Sequence, residues 1–306
     1  MNHHNSKTSL AVLVVLVFGG ATQIRAQGSQ TQSQSQSQSQ SQTQSQQQQQ
    51  PPAQQDQKPG LQNPIAPAVA PLPTPVDPKE DAAYKSLIAM NPTNAADVDK
   101  EIQAGEDFLK TYPASRYLQG VYSRLTNAYF QKPDMDKMYA DGEKALALNG
   151  DDVSVLTLLG GTLPRGNAND PNFKDKLARA EQYDRHALDL LPTMAKPANV
   201  TDEQFAKLKD NAMVTAHGGL GVALFREGKA ADAAPELQKA TDGVANPDPV
   251  NLYVLGLALD NLQKYADAEK AFDGCGQVTS SLQERCKQLG ADAKSKAANQ
   301  LQPPKP

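Results

Sequence analysis

Residues 251–275 read Asn-Leu-Tyr-Val-Leu255-Gly256-Leu-Ala-Leu259-Asp-Asn-Leu-Gln-Lys-Tyr265-Ala-Asp-Ala268-Glu-Lys-Ala-Phe272-Asp-Gly-Cys275. Thirty-five residues earlier the same spacing occurs: Leu220-Gly221, then Leu224, Gly228, Ala233 and Leu237. In both copies an apolar residue follows the Leu-Gly pair by three, a small residue comes nine later, and a bulky one four beyond that. Apolar and small residues at spacings of three and four belong to helices, and the Gly-Lys or Gln-Lys between the halves breaks each copy into two. A repeat of this length implies a unit that cannot bury its apolar face alone and must stack on its neighbours.

Two more copies fall into register. Tyr122, Leu125, Thr126 and Tyr129 open one, with Met138, Gly142 and Ala145 in its second half and Gly150 at its close. Leu156, Leu159, Gly160 and Leu163 open the next, but its second half (Ala180, Asp184, Ala187, Pro192) arrives eight residues late. The extra residues lie in Pro164-Arg-Gly-Asn-Ala-Asn-Asp-Pro171, whose Gly, Pro and Asn content reads as a loop. A worn first copy spans Tyr84–Pro113, with a second helix over Ala96–Tyr112. The pattern resembles the tetratricopeptide repeat family over roughly residues 80–280. That resemblance implies an all-α, right-handed α-solenoid of stacked antiparallel helix pairs. The units expected are about 79–113, 119–152, 153–192, 201–247 and 249–280.

Small residues stand where paired helices approach closely, and Leu, Tyr and Phe fill the remaining space. Three departures stand out. Gly142 and Asp184 replace the bulky residue of the second helix, which predicts looser packing there. Pro235 stands about three residues into a second helix, where its missing N–H is tolerable. Thr201-Asp-Glu-Gln204 is a capping box, and Phe205, Leu208, Ala212 and Thr215 share one face after it. One long helix is therefore expected over about 202–227. Ser281–Ala298, with Leu282, Cys286, Leu289 and Ala293 on one stripe, reads as a capping helix before a short tail at 299–306.

Outside the repeats the composition changes. Lys7 precedes the apolar run Leu10–Phe18 and Gly19-Gly20, the pattern of a secretory signal peptide. That run is shorter than the ~20 residues that span a bilayer. Small residues allow cleavage after Ala21 or Ala26, and Ala26 is preferred, giving a signal at 1–26 and an exported, periplasmic or extracellular chain of bacterial type. Residues 27–78 carry 9 of the 22 prolines and only three charges, Asp56, Lys58 and Asp77, and 17 of the 32 residues from 27 to 58 are Gln. Such a stretch cannot bury enough apolar surface to fold and reads as a disordered tether. An expanded tract with no task fits the same composition.

Residues 79–306 carry 27 Lys and Arg against 32 Asp and Glu, an acidic balance that gives no electrostatic reason to propose nucleic acid. Gly-x-Ser-x-Gly, P-loop and His-Glu-x-x-His patterns do not occur. His186 and His217 stand in separate units without a partner at metal-ligand spacing, and Gly218-Gly-Leu-Gly221 lies inside an expected helix rather than after a strand. No cofactor, no metal and no enzymatic activity are expected. Cys275 and Cys286 fall on neighbouring antiparallel helices, which allows a disulfide in an oxidising compartment, the alternative being two buried thiols.

The family resemblance implies a protein or peptide partner on the concave face lined by each first helix. Carried over, the positions are Ser123, Asn127, Gln131, Thr157, Thr215, Arg226, Tyr253, Asp260 and Asn261. Chaperone-binding members hold a terminal carboxylate in a Lys/Asn/Arg clamp. Here the corresponding slots hold Ser123, Arg124, Asn127, Ser154 and Leu158, so most of that clamp is missing. Val222, Phe225, Val250 and Leu257 give the expected groove an apolar part. A structural or tethering component of the envelope is the competing reading, and a small-molecule carrier with a pocket under the 202–227 helix a third.

Overall fold

The computed structural model describes residues 77–197 and 200–300, all within one compact unit. The expected signal segment with its cleavage point after Ala26, the tether up to residue 76 and the tail from residue 301 lie outside the described residues. The described residues form eleven α-helices and no strand. In chain order they are α1 (Pro78–Ile88), α2 (Ala95–Thr111), α3 (Leu118–Gln131), α4 (Met135–Leu148), α5 (Val153–Thr162), α6 (Phe173–Leu190), α7 (Asp202–Arg226), α8 (Ala230–Lys239), α9 (Pro249–Asn261), α10 (Tyr265–Gln277) and α11 (Gln283–Gln300). Single 3-10 turns at Leu163–Arg165 and Leu191–Thr193 follow α5 and α6.

The helices begin where short polar side chains cap them. Asp77, Asn94, Asp134, Asp152 and Asp248 each accept a backbone N–H from the first turn that follows. At Thr201 the capping box closes both ways: Gln204 N–H donates to Thr201 Oγ1 at 3.2 Å, and Thr201 N–H to Gln204 Oε1 at 3.1 Å. That start, with no breaker until Gly228, gives α7 its 25 residues. The glycines inside it do not end the helix because tertiary packing outweighs their poor propensity.

Successive helices pair as α3–α4, α5–α6, α7–α8 and α9–α10, and α10 packs on α11. First helices also touch one another in a row, α3 on α5, α5 on α7 and α7 on α9. The close approaches are glycine to bulky residue. A Cβ on Gly256 would lie 2.5 Å from the Phe272 ring, and one on Gly221 would lie 2.5 Å from Leu237 Cγ. Within the fourth and fifth hairpins, then, the small member is on the first helix and the large one on the second. The fold is a stack of helix hairpins of the tetratricopeptide kind.

Two expectations about packing are corrected. Packing at Gly142 is not loose, because Leu159 from the next hairpin comes within 2.9 Å of where its Cβ would be. Asp184 is likewise enclosed, with an exposure of 0%. A Cβ on Gly160 of α5 would lie 2.1 Å from its Oδ1, and one on Gly219 of α7 2.3 Å from its Oδ2. Pro235 is the sixth residue of α8, deeper than expected, so the carbonyl of Ala231 loses its helical donor; Pro235 and Ala231 are both exposed, which leaves that carbonyl to water.

The apolar core is divided. One cluster runs from Tyr84 through the first three hairpins and takes in Ala216 and Ala223 of α7. A second holds Leu220, Val222 and Leu224 of α7 with the last two hairpins and Ala293 of α11. At the far end Cys275 and Cys286 are joined in a disulfide with a Cα–Cα distance of 5.8 Å, packed with Leu252.

Polar pins add to the apolar contacts that hold the first hairpin. Ser115 donates to Glu80 at 2.5 Å, Tyr117 donates to Asp81 at 2.7 Å, and the Tyr84 and Tyr117 rings stack at 4.1 Å. Arg124 of α3 pairs with the buried Glu101 of α2 and donates to the carbonyls of Ile88 and Met90 at the end of α1. Burial pushes the Glu101 carboxyl up, opposed by the Arg124 charge.

Candidate functional site

The nine positions expected on a binding face do not share one environment. Ser123, Asn127 and Thr157 are buried, at 4%, 7% and 7% exposure. Their hydrogen bonding is local: Asn127 Nδ2 donates to the Ser123 carbonyl at 3.0 Å, and Thr157 Oγ1 donates to the Val153 carbonyl at 2.9 Å. These three side chains are enclosed by the packed helices around α3 and α5 rather than open to a partner.

Three more positions are used within the chain. Arg226 at the end of α7 donates to the carbonyls of Pro164 and Gly166 at 2.6 and 2.9 Å, and its guanidinium lies 4.5 Å from the centre of the Phe173 ring. Asp260 accepts two bonds of 2.9 Å from Lys296 of α11. Tyr253 is half-buried, its ring tilted against Phe272 at 6.4 Å. Gln131, Thr215 and Asn261 remain exposed, with Thr215 Oγ1 donating to the Asn211 carbonyl.

Two open grooves lie toward the start of the stack. One, of about 330 Å³, runs between α1 and α2 over Leu87, Met90, Phe108 and Tyr112. The other, of about 300 Å³, is floored by Leu125 and Tyr129 and rimmed by Glu106, Lys137, Asp141 and Lys144. Its charges are mutually satisfied. Tyr129 donates to Glu106 at 2.5 Å, Lys137 donates to Glu106 at 2.9 Å, and Lys144 pairs with Asp141 at 2.8 Å. Burial and the Glu106 bond push the Tyr129 hydroxyl up to about 12, and bonds from Tyr129 and Lys137 hold Glu106 below the usual carboxylate range. At neutral pH Glu106 and Lys137 are therefore ionised while Tyr129 keeps its proton and donates a hydrogen bond to Glu106, and the three form a brace across α2, α3 and α4.

Among the described residues the two histidines each meet one carboxylate, His217 of α7 with Glu236 of α8 at 2.6 Å and His186 of α6 with Asp151, in the turn before α5, at 2.7 Å. Among the described residues no group of three or more His, Cys, Asp or Glu side chains is placed to hold a metal ion. No described helix is long and apolar enough to cross a membrane.

Two residues matter that the sequence reading passed over. Arg165, assigned to a loop, donates to Asp248 Oδ2 at 2.6 Å and Asn251 Oδ1 at 3.1 Å, more than eighty residues away in sequence. Asp184, noted only as a packing oddity, has no hydrogen-bond partner on either oxygen. Burial pushes its carboxyl well up, opposed by the charge of Arg165. The first had no local signal. The second had one, a carboxylate in the slot that holds Leu237 and Phe272 in the last two copies.

No protein-family model matches the chain, and no curated protein matches it. Solved structures similar to it include a thermophilic TPR protein from Thermus thermophilus, at 14% identity and a TM-score of 0.41 over 71% of this chain and 99% of that one. PilW, described as a widely conserved type IV pilus biogenesis factor, is similar at 15% identity and a TM-score of 0.48, over 73% of this chain and 88% of that one. PilF of Pseudomonas aeruginosa is similar at 17% identity and a TM-score of 0.47, over 72% of this chain and 87% of that one.

Proposed function

We propose that this stack of helix hairpins is an exported binding scaffold that takes a protein or peptide partner along the row of first helices. The row itself carries the reading: α3, α5, α7 and α9 touch one another. In a curved stack the elements on the inside lie closest, and contact along this row supports reading it as the inner, concave side. Exposed Gln131, Thr215 and Asn261 with half-buried Tyr253 are the polar and aromatic groups left there for a partner. Ser123, Asn127 and Thr157 act as packing residues. Export is supported by Lys7 and the apolar run Leu10–Phe18.

The test is affinity capture from an envelope extract with the mature chain. Thr215→Arg and Asn261→Arg are expected to remove specific captured proteins that the same change at exposed Asp232 of α8 leaves in place. An unchanged captured set for all three variants overturns the reading. The envelope-tether reading is favoured by the Gln- and Pro-rich composition of residues 27–78. Deleting that stretch separates the two: the scaffold keeps its partners, whereas a tether is mislocalised.

A further inference from the structure

In a solenoid each repeat contacts its neighbours, yet Arg165 of the third hairpin bonds Asp248 and Asn251 at the start of the fifth. The helix between them is thin. A Cβ on Gly218 of α7 would lie 2.4 Å from Asn251 Nδ2, and one on Gly219 would lie 2.8 Å from the Gly160 carbonyl oxygen. Glycine at these two places lets α5 and α9 close on α7 from opposite sides.

The same helix is where the apolar core divides. Toward the first three hairpins α7 contributes Ala216 and Ala223 to the core, and toward the last two it contributes Leu220, Val222 and Leu224. Small side chains bury little apolar area, so the junction on the α5–α6 side gains less from the hydrophobic effect than the α7–α8 side does. Polar contacts cross it instead: Arg165 to Asp248 and Asn251, Arg226 to the carbonyls of Pro164 and Gly166, and Lys229 to Glu181 at 3.2 Å. Both arginines act on one element, the turn at Leu163–Gly166 that the eight-residue insertion creates.

We propose that the stack hinges at the small-residue face of α7 and that the Leu163–Gly166 turn is its latch, closed when Arg165 grips the start of α9 and Arg226 grips the turn. The latch joins the two core clusters into one body, and its release lets the two halves move about α7. Arg165 and Asp248 keep side-chain exposures of 32% and 37%, so salt screens their attraction and weakens the closed state. The Asn251 bond has a neutral acceptor and sets direction. This device is independent of what the chain binds.

Asp248 allows a clean test because its oxygens are divided: Oδ1 caps α9 through Val250 N–H at 2.8 Å, and Oδ2 takes Arg165. Asp248→Asn keeps the cap and removes the ion pair, since Asn caps as well as Asp. Amide hydrogen exchange on the full chain reads the outcome. Arg165→Ala is expected to speed exchange about tenfold at the start of α9 and in the middle of α7, with α3 and α4 unchanged. Asp248→Asn should give the same pattern with a smaller increase, and should abolish the acceleration that added salt causes in the wild type. An increase confined to residues 163–166 overturns the proposal, as does Asp248→Asn matching the wild type at every salt concentration. If Arg165→Ala loosens the whole chain, the Asp248→Asn salt series alone decides.

Discussion

The third and fifth hairpins use one architectural position for opposite chemistry. In the fifth, Gly256 of α9 receives the ring of Phe272, a fully buried side chain among Leu255, Leu259 and Ala268. In the third, Gly160 of α5 receives the carboxyl of Asp184, equally buried and bonded to nothing. The glycine is kept in both because it sets how closely the helices approach. What approaches it is not fixed by that geometry. The fifth hairpin gains apolar burial at this point, and the third carries a desolvated polar group there.

The largest expected difference comes from emptying both slots. Phe272→Ala should cost about 3–5 kcal/mol, as removal of a buried aromatic ring does. Asp184→Ala should cost less than about 1 kcal/mol or stabilise, because no hydrogen bond is lost and a buried polar group is removed. Urea unfolding followed by circular dichroism compares them. Equal losses at the two sites would break the comparison, since Asp184 would then be making an interaction of the same worth as the ring.

The second difference is covalent. The fifth hairpin is tied to α11 by Cys275–Cys286, and the third has no such tie. Replacing both cysteines with Ala should cost about 3 kcal/mol, from the loop of roughly a dozen residues that the bridge closes. Both sulfurs are buried, so mild reductant well below the melting transition, followed by thiol alkylation and mass spectrometry, should label neither cysteine. Labelling of both under those conditions would show that the bridge opens in the folded protein.

The contrast between the two hairpins also shows what the sequence displays and what it does not. Spacing fixes neighbours along a helix pair, so the small and large slots holding Gly256, Phe272, Gly221 and Leu237 were legible, and the Cys275–Cys286 bridge was one of the two outcomes the spacing allowed. Local chemistry made the start of α7 legible through Thr201 and Gln204. Asp184 could be seen to fill an apolar slot, but its enclosure depends on Gly160 and Gly219 from two other helices, and neither is local to it. Ser123, Asn127 and Thr157 were placed on a binding face by family frame. Their burial follows from the helices packed around α3 and α5, which the residue types at those positions do not display. Arg165 reaches past a whole hairpin, so no periodicity could have assigned its partners.

The third difference is a response to pH. Burial raises the folded-state pKa of Asp184 well above the value of about 4 expected in the unfolded chain. Below about pH 4 both states are protonated and Asp184 has no effect. As pH rises from there toward its folded value, the unfolded chain loses the proton first. Stability then falls by about 1.4 kcal/mol per pH unit from this group. Asp184→Asn removes the titration and keeps the buried polar group. The variant should therefore gain stability relative to wild type as pH rises from 4, whereas no substitution of Phe272 should alter that slope. Parallel pH profiles for wild type and Asp184→Asn would show that Asp184 is ionised in the folded state and partnered.

The smallest difference is in the turn closing the fifth hairpin, set against the same turn in the fourth. Gly228 has φ of 82°, and its equivalent thirty-five residues on, Gln263, has φ of 60°. The closures match bond for bond: Lys229 N–H donates to the Leu224 carbonyl at 2.9 Å, and Lys264 N–H donates to the Leu259 carbonyl at 2.9 Å. A residue with a Cβ is strained by about 1 kcal/mol or more in this left-handed region, where glycine is not. Gln263→Gly relieves that strain but gives the unfolded chain more freedom, which returns about 0.4–1 kcal/mol. The net gain should be a few tenths of a kcal/mol, and Gly228→Ala should lose about 1 kcal/mol, both read from urea midpoints. The sign of the Gln263→Gly change isolates backbone strain from packing, because the side chain is exposed and no core contact is altered. A loss of stability there would mean that the unfolded-chain entropy outweighs the strain, and that this turn is set by its hydrogen bonds alone.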